Sequence, residues 1–372
     1  MKRLRLGMVG GGQGAFIGGV HRFAARLDGR WDLVAGALSS DPERAAASAA
    51  ELGLDPTRSY SDFAEMAKAE AARADGIDAV AIVTPNHMHA APAIAFLDAG
   101  IHVICDKPLA GTEEDAQAMA AAVLRSGKHF ILTHNYTGYP LIRQAREMVA
   151  HGDLGALRVV QVEYAQDWLT EPSDGKQAAW RADPQRSGRG GAIGDIGTHA
   201  FNLANFVTGL TPCQLAADLS TFVSGRPVDD NAHILLRYGD GIRGTLWASQ
   251  VAVGNENGLR LRIYGDKAGL EWTQEDPNRM TFTRFGQPSQ TLTRGGAGAT
   301  EAAMAVTRIP AGHPEGYLEG FATLYSEAAD LIAAEHGRVP ELLPGIAEGL
   351  DGVRFVSACI ASAEAGTAWV EF

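Results

Sequence analysis

The stretch GMVGGGQGAFIGGVHR, residues 7–22, joins a short apolar run that begins at residue 4 to the first helical pattern. Its consecutive glycines allow a tight turn and bring backbone amides close to a pyrophosphate, whose charge a helix N-terminus favours. A flexible glycine turn without a ligand is the alternative. Because the cluster lies between a strand and a helix, it predicts a dinucleotide site. The residues assigned to this site are Gly10, Gly12, Gln13, Phe16 and Ile17.

Strands and helices alternate over the first 135 residues. Apolar runs predict strands at 4–9, 32–38, 79–83, 101–105 and 129–132. A 3.6-residue periodicity predicts helices at 18–27, 42–52, 62–74, 89–99 and 112–126. Such alternation is typical of an α/β fold with a parallel sheet between two helical layers. We therefore expect a doubly wound Rossmann domain over residues 1–135.

From about residue 156 strand-like stretches predominate, at 157–166, 213–223, 231–238, 241–253 and 259–265. They predict a large open, mostly antiparallel sheet, one face of which helices at 195–207, 316–334 and 345–365 would cover. We therefore expect a second, α+β domain over residues 136–372 that binds substrate and forms oligomers. Its segment 285–312, rich in Gly, Thr and Ala, is expected to be a mobile loop.

Composition excludes several functional classes. The chain of 372 residues exceeds the roughly 250–300 residues at which one core stops growing, which agrees with two domains. Its net charge is −12 and it has no run of Lys or Arg, so neither nucleic acid nor a membrane is an expected partner. The three cysteines form no CxxC or Cys/His cluster, so neither disulfides nor a metal site is expected. Without a signal-like or membrane-spanning segment, the expected location is the cytoplasm.

The choice between NAD and NADP depends on the carboxyl end of the second strand. Asp32 has about the usual spacing from the glycines, but it begins that strand and so lies at the wrong end for a ligand. The strand ends in Ser39 and Ser40, neutral donors that tolerate a 2′-phosphate, and Arg44 could neutralise it. NADP is therefore mildly favoured. Asp41 could instead hold a free ribose, or could simply cap the next helix.

The stretch VICDKPLAGT, residues 103–112, places Lys107 directly after a β-branched run. In chain order this is the carboxyl end of a sheet strand, the edge at which open α/β folds bind ligands. Lys107 is therefore expected beside the nicotinamide, where its ammonium group could orient a hydroxyl and favour its alkoxide. Most lysines in such loops are only solvated, but here Pro108 stiffens the turn. Asp106 is assigned, together with Lys107, to the cofactor site.

A second group of candidate residues lies in GGAIGDIGTHAFNLANF, residues 190–206. Asp195 and His199 are four positions apart and share one face if this stretch is helical. An imidazole accepts protons near neutrality, and a carboxylate can hold a sugar hydroxyl. The spacing therefore favours a paired acid and base. The alternative is an aspartate that stabilises a helix N-terminus and a structural histidine.

Together these motifs resemble the Gfo/Idh/MocA family of oxidoreductases, which includes inositol dehydrogenases and glucose-fructose oxidoreductase. The resemblance covers nearly the whole chain. It rests on the glycines that end in His21, on TPNHMHAAPA at 84–93, on DKP at 106–108 and on GDIGTH at 194–199. It implies an NAD(P)-dependent dehydrogenase that acts on a ring hydroxyl of a sugar, glycoside or cyclitol.

The resemblance also implies roles for single residues. His199 would be the base, Lys107 the cation that orients the hydroxyl, and Asp195 a substrate ligand. The residues that would line the cofactor cleft are Thr84, Pro85, Asn86 and His89.

Two positions depart from the family pattern. The family usually has Glu where this chain has Asp106. Relatives place the last glycine of the motif three residues after the second, whereas Gly18 lies six residues after Gly12 because of the insert QGA. The phosphate contacts of this loop are therefore expected to differ from those of relatives.

Further substrate contacts are expected outside the catalytic set, namely Asn135, Tyr136, Trp168, Trp180, Arg181, His313 and Tyr317. The two tryptophans and Arg181 could form a platform for the apolar face of a sugar, although core packing explains Trp180 equally well. The other four lie where relatives approach the substrate, and His313 and Tyr317 could simply begin a helix.

Three functional classes remain open. The first is a dehydrogenase with exchangeable cofactor. The second is a redox-neutral enzyme that retains its cofactor, such as an aldose-aldose oxidoreductase or an NAD-dependent glycosidase. The third, a sugar or nucleotide sensor, is disfavoured because a sensor need not keep Lys107, Asp195 and His199 together. In each case we expect a homodimer or homotetramer, because an open sheet exposes an apolar face that a monomer rarely leaves bare.

Overall fold

The computed structural model describes residues 3–172, 183–334 and 342–372. The chain divides into two compact units. The first comprises Met1–Asn135 and Tyr317–Leu350, and the second comprises Tyr136–Gly316 and Asp351–Phe372. A single domain was expected after residue 135. The return of Tyr317–Leu350 to the first unit is not signalled by any local pattern.

The first unit contains a five-stranded sheet whose strands are all parallel, in the order β2-β1-β3-β4-β5. Its strands are β1 (Leu4–Gly10), β2 (Trp31–Ala37), β3 (Ala79–Val83), β4 (His102–Cys105) and β5 (Phe130–Leu132). The helices that alternate with them are α1 (Phe16–Leu27), α2 (Pro42–Glu51), α3 (Phe63–Ala71), α4 (Ala90–Asp98) and α5 (Glu113–Ser126). The predicted doubly wound sheet is confirmed. This topology brings the carboxyl ends of the strands to one edge, where ligands bind in such folds.

A helix from late in the chain, α10 (Tyr317–Ala333), completes the core of the first unit. It packs against α1, with the rings of His21 and Phe321 5.1 Å apart. The indole of Trp31 donates a hydrogen bond to the backbone oxygen of Tyr325 at 2.8 Å. These contacts bury the apolar side of α10, which explains why it belongs to this unit.

The second unit contains a nine-stranded sheet in the order β13-β12-β11-β10-β6-β9-β8-β7-β14. Of the neighbouring strand pairs in this sheet, only β6 and β9 are parallel. The predicted open, mostly antiparallel sheet is therefore confirmed. Its strands are β6 (Leu157–Ala165), β7 (Gln214–Ser220), β8 (Asn231–Arg237), β9 (Arg243–Ser249), β10 (Gly258–Gly265), β11 (Ala268–Thr273), β12 (Arg279–Arg284), β13 (Gln290–Thr293) and β14 (Val370–Glu371).

The helices of the second unit carry its functional segment. They are α6 (Pro140–Ala150), the single turn α7 (Pro184–Ser187), α8 (Thr198–Thr208) and α9 (Glu301–Ala305), while α11 (Ile346–Glu364) is divided between the units. A five-residue π-helix, Ile193–Gly197, leads directly into α8. The inner face of α8 joins the large core of this unit through Phe201, which stacks on Phe355 with centroids 4.2 Å apart.

The segment 285–312 is ordered rather than a mobile loop, so that expectation is wrong. It contains β13, which pairs with β12, and the helix α9. Arg294, only 3% exposed, forms an ion pair with the buried Glu315 at 2.9 Å and donates to the backbone oxygens of Ile309 and Pro310. These tertiary contacts order a segment whose composition resembles that of a linker.

None of the helices within the described ranges is long and apolar enough to cross a membrane.

Candidate active site

The glycine loop after β1 is shaped by close backbone contacts. Gly10 and Gly11 have positive φ angles of 79° and 72°, a region that favours glycine. A Cβ on Gly18 would lie 2.4 Å from the Gly11 Cα, so the first turn of α1 rests directly on the loop. Gly18 therefore provides the close helix-to-loop approach despite its six-residue spacing from Gly12.

Side chains from α1 and α2 hold this loop in place. The backbone N–H of Gln13 donates to Ser48 Oγ at 3.1 Å, and the side-chain amide of Gln13 donates to Glu51 at 2.9 Å. From the other side, Arg22 Nη1 donates to the Gly11 backbone oxygen at 2.6 Å, while burial lowers the pKa of Arg22. Arg22 was missed in the sequence; its position one turn after Gly18 was the available signal.

A cleft of about 380 Å³ opens beside the loop. It is lined by the glycine loop, the start of α1 and one face of α2, with Phe16 70% exposed at the N-terminus of α1. Ile17, by contrast, packs partly against the core. Loop glycines whose Cβ atoms would collide with backbone, and helix N–H groups at the same place, fit a dinucleotide pyrophosphate.

At the carboxyl end of β2, the acidic residue Asp41 makes its hydrogen bond within the protein. Asp41 is the N-cap of α2 and accepts the Arg44 N–H at 2.8 Å. Ser39 Oγ accepts the Asp41 N–H at 3.1 Å, and Ser40 is exposed beside them. Asp32 pairs with Arg3 at 2.9 Å at the opposite end of the strand. Asp41 therefore caps the helix, as one of the two alternatives expected. Its side chain remains about half exposed.

Asp106, directly after β4, is the centre of a partly buried hydrogen-bond network. Its Oδ1 accepts the N–H of Lys107 and the hydroxyl of Thr133, both at 3.0 Å, and lies 3.7 Å from His21 Nε2. Burial alone would raise the pKa of Asp106, but the nearby His21 ring and the charge of Lys107 outweigh it and lower the pKa to about 2. The other ring nitrogen of His21 lies 2.8 Å from the hydroxyl of Tyr325. An ionised carboxylate thus fixes the backbone from which Lys107 extends.

His89 links the TPN segment to the DKP segment. Its Nδ1 lies 2.8 Å from the Pro108 backbone oxygen and its Nε2 lies 2.9 Å from the Thr84 backbone oxygen. Burial lowers the pKa of His89. Pro85 and the buried Asn86 begin the short 3-10 turn that follows β3. These residues shape the strand ends, and the Lys107–Pro108 peptide bond among them is cis.

The residues after β5 lie in the same network. Burial and the charge of Lys107 lower the pKa of His134 to about 3, so its imidazole is neutral beside that ammonium group at neutral pH. Asn135 is 1% exposed and its N–H donates to the Thr133 backbone oxygen at 2.8 Å. Asn135 thus lies inside the fold of the first unit.

In the second unit, Asp195 lies within the π-helix and His199 in the first turn of α8. Asp229, from the loop before β8, caps this segment from outside: its carboxylate oxygens accept the N–H groups of Gly191 at 2.7 Å and Ile193 at 2.8 Å. A Cβ on Gly191 would lie 1.9 Å from the Asp229 backbone oxygen. Burial raises the pKa of Asp229 to about 6. Sequence reasoning missed Asp229, which no local pattern connects to the helix.

Both catalytic candidates of this segment contact buried polar side chains. Gln250 Nε2 donates to Asp195 Oδ2 at 2.9 Å. The His199 ring, 7% exposed, stands edge-on to Tyr136 at 4.9 Å between centroids, and Tyr164 lies at 6.1 Å. The Tyr136 and Tyr164 hydroxyls are 2.7 Å apart. The Tyr136 ring thus packs against His199. Tyr164 and Gln250 are residues that the sequence did not single out.

The remaining substrate candidates are dispersed. Trp168 is 40% exposed and its indole donates to Gln166 at 2.9 Å. His313 is exposed, and its backbone oxygen accepts from Arg294. Tyr317 begins α10 and contacts Phe321 with centroids 5.2 Å apart. Trp180 and Arg181 lie outside the residues that the structure describes.

The candidate residues are thus divided between the two units. The first contains the glycine loop, the strand ends and Lys107, and the second contains Asp195, His199 and the aromatic residues around them. Within the described parts of the chain, no cluster of three His, Cys, Asp or Glu side chains is suited to hold a metal ion. The first unit therefore offers an ammonium group and a cleft beside the glycine loop, and the second unit offers an imidazole and a carboxylate.

Two family models match the chain. Residues 4–147 match the oxidoreductase family with NAD-binding Rossmann fold, and residues 142–271 match the GFO/IDH/MocA C-terminal domain.

Several known proteins are similar over the chain. An oxidoreductase from Sinorhizobium meliloti is 57% identical, with a TM-score of 0.91 and complete coverage of both chains. An inositol dehydrogenase homologue from Azotobacter vinelandii, solved with NADH and myo-inositol, is 37% identical, with a TM-score of 0.92 over 100% of this chain and 98% of that one. A levoglucosan dehydrogenase of Pseudarthrobacter phenanthrenivorans is 30% identical over 74% of this chain and 75% of its own length.

Proposed function

This chain belongs to the Gfo/Idh/MocA family of oxidoreductases, and from that premise we propose that it transfers a hydride between a nicotinamide dinucleotide and a ring hydroxyl of a sugar, glycoside or cyclitol. The observation that carries the proposal is a combination within one chain. A glycine loop opens on a cleft of about 380 Å³, Lys107 follows β4 at the ligand edge of the sheet, and Asp195 and His199 lie where the π-helix leads into α8. This combination provides a cofactor site, a cation, a substrate ligand and a base.

The dinucleotide would be held chiefly by the backbone. The amides of the loop around Gly10 and Gly12 and of the first turn of α1 would bind the pyrophosphate, because they carry positive partial charge. Arg22 supports this loop from behind through the Gly11 carbonyl. Asp106 and His89 hold the two strand-end segments on which the nicotinamide would lie. The nicotinamide, when bound, supplies the acceptor or donor of the hydride.

Three polar side chains, His199, Lys107 and Asp195, would act on the substrate. His199 accepts the proton of the substrate hydroxyl as the carbonyl forms, the role for which a neutral imidazole is suited. Lys107 stabilises the developing negative charge on that oxygen. Asp195 binds a neighbouring hydroxyl and so selects the carbon presented for oxidation. The tyrosines around His199 exclude water from its ring.

The substrate class rests on the relatives and on the polarity of the site. The Azotobacter homologue was solved with myo-inositol, and the Pseudarthrobacter relative is named for levoglucosan, an anhydrosugar. A carboxylate and a half-exposed indole at Trp168 suit a polyhydroxylated ring with one apolar face. We therefore place the substrate among cyclitols and pyranose sugars rather than hydroxy acids.

For the cofactor, we keep the expectation that NADP binds at least as well as NAD. Neutral Ser39 and Ser40 and the cation of Arg44 support it, and so does the engagement of Asp41 as a helix cap. The opposing expectation, a strict NAD enzyme, is supported by the NADH in the Azotobacter homologue. Titration of the purified protein with both cofactors decides between them, and NAD binding tenfold tighter or more would overturn the NADP expectation.

We also propose assembly through the outer face of the nine-stranded sheet. This face is more polar than expected: beside the exposed Leu235 and the stacked pair of His233 and Trp247 lie Arg260 and Arg262, both paired with Glu163. A mixed face of this kind suits a homodimer or homotetramer with a polar rim. Light scattering is expected to give a dimer or tetramer, and a monomer at micromolar concentration would contradict this.

The test of the proposed function is a screen of polyols with the purified protein. Reduction of NAD or NADP is followed by absorbance with myo-inositol, other cyclitols, levoglucosan and common pyranoses, with His199→Ala as the inactive control. Turnover of at least one of them by the wild type alone supports the proposal. Another outcome is a protein that carries tightly bound cofactor while no polyol reduces the NAD or NADP added in solution. That result would identify the redox-neutral class. If no cofactor binds at all, the proposal fails.

A further inference from the structure

Gln250 follows the strand β9, and its side chain reaches the π-helix that carries Asp195. It is 2% exposed, and its Nε2 donates to Asp195 Oδ2 at 2.9 Å. The two residues are 55 positions apart in the sequence. A buried amide that bonds a carboxylate loses its hydration on folding, so the contact persists only when the geometry is well matched.

The backbone of Gln250 is fixed on both sides. Its N–H donates to the Asp230 backbone oxygen at 2.9 Å, and its own oxygen accepts the Leu169 N–H at 3.1 Å. The preceding residue, Ser249, ends β9 in register with Ala165 of β6. The Gln250 side chain therefore extends from a backbone that is held by hydrogen bonds on both sides. Its hydrogen bond in turn restricts the orientation of the Asp195 carboxylate.

The chemistry of the donor is also specific. An arginine or lysine at this position would neutralise the carboxylate, whereas an amide donates a hydrogen bond and carries no net charge. One oxygen of Asp195 is thus held by a donor that carries no charge of its own. Asp195 lies within a π-turn, a backbone form that occurs often at functional sites.

We propose that Gln250 is a positioning residue for substrate binding: it holds the Asp195 carboxylate in the orientation that receives a ring hydroxyl and thereby fixes which carbon faces the hydride acceptor. The inference rests on the proposed function, since it assigns Asp195 to the substrate. It predicts that Gln250 acts on the substrate step and leaves cofactor binding unchanged, because the glycine loop belongs to the other unit.

The first variant is Gln250→Met, which keeps the length of the side chain and removes the donor. With a polyol that the wild type oxidises, kcat/KM is expected to fall at least about tenfold while cofactor affinity stays within about twofold. The matched control is Gln144→Met. Gln144 is also 2% exposed and belongs to the same unit, but its amide donates to the Gly298 backbone oxygen. The control should keep kcat/KM within about threefold of the wild type.

The second variant, Gln250→Glu, separates positioning from packing. When the introduced carboxyl is protonated it can donate to Asp195 as the amide does, and when it is ionised it repels Asp195. Its kcat/KM is therefore expected to approach the wild-type value at the acid end of the range and to fall at least tenfold as pH rises. The wild type and Gln250→Met should not show this additional fall of kcat/KM with rising pH. If the glutamine were purely structural, Gln250→Glu would not show it either.

The outcomes are distinct. If the wild type oxidises a polyol and both Gln250 variants match it within threefold at every pH, the inference is overturned and the proposed function stands. Equal losses in Gln250→Met and Gln144→Met would also overturn it, because they would report stability alone. If the wild type binds no cofactor and oxidises no polyol, the proposed function fails and the inference fails with it.

Discussion

Gly18 lies against Gly11 so closely that a Cβ on Gly18 would lie 2.4 Å from the Gly11 Cα and 2.6 Å from the Gly11 backbone oxygen. This contact joins the first turn of α1 to the loop that would bind the pyrophosphate. Any side chain at residue 18 must push the helix away from the loop, because the colliding atoms belong to the backbone. The contact therefore makes the geometry of the loop depend on a single glycine.

Gly18→Ala is expected to weaken cofactor binding at least about tenfold, because the loop amides would leave their positions. Fluorescence titration with NADH and NADPH measures the change. Gly352→Ala, inside α11 and away from the cleft, is the control, since no atom of the described residues lies within 4 Å of its added Cβ. The control should bind cofactor normally and gain about 0.5–1 kcal/mol of stability from the helix propensity of alanine. Similar affinities in the two variants would contradict the assigned role of Gly18.

Lys107→Ala is expected to reduce kcat on the order of 10²-fold or more and to leave the cofactor dissociation constant nearly unchanged. The reason is that Lys107 would act on the substrate oxygen, whereas the dinucleotide is held by backbone amides. Steady-state kinetics with a genuine substrate test this, with the exposed Lys68→Ala on α3 as the control. Lys107→Arg keeps the charge and should stay impaired if a compact ammonium is required. A loss below threefold in Lys107→Ala would show that the lysine is only solvated.

Ser39→Asp is expected to weaken NADP binding at least about tenfold and to preserve NAD binding. The introduced carboxylate would lie at the end of β2, where it repels a 2′-phosphate and can accept a hydrogen bond from a free ribose hydroxyl. Parallel titrations of wild type and variant with both cofactors measure the effect. Unchanged NADP affinity would mean that the ribose binds away from Ser39.

Asp229 should make the stability of the protein decrease as pH rises through the weakly acidic range. Because burial raises its folded pKa to about 6, the folded protein holds a proton that the unfolded chain has already released between pH 4 and 6. The unfolding free energy should therefore fall by about 2 kcal/mol between pH 4 and pH 7 through this group. Urea denaturation of wild type and Asp229→Asn across that range isolates the term, which the variant should lack. Parallel curves for the two proteins would rule it out.

Asp106 should act in the opposite direction. Its folded pKa of about 2 is lower than that of a free aspartate, so its stabilising effect is complete above about pH 5 and is lost as pH falls. Between pH 5 and pH 3 the loss should amount to about 1 kcal/mol. Asp106→Asn should show a flatter acid limb in the same denaturation experiment. A wild-type acid limb as flat as that of the variant would contradict the lowered pKa.

The secondary structure of the first unit follows from local sequence patterns. The alternation of apolar strands and amphipathic helices, with Asp41 and Thr112 as helix caps, specifies each element within one or two turns. The glycine, DKP and GDIGTH motifs likewise identified candidate residues, because their positions at strand ends and helix starts are local properties. The segment 285–312 shows the limit of this reasoning. Its short edge strand has weak patterning and is ordered by Arg294 and Glu315.

The sequence by itself thus determined the alternation of elements, the doubly wound sheet and the motifs that carry the candidate chemistry. Only the tertiary structure decided which residues support them: Asp229 at the start of the π-helix, Gln250 on Asp195 and Tyr325 on His21. These pairs are 36, 55 and 304 positions apart in the chain. Periodicity encodes neighbours within a helical turn or a strand, whereas hydrogen bonds across such distances depend on how whole elements pack, because burial requires each polar group to find a partner wherever the fold places one.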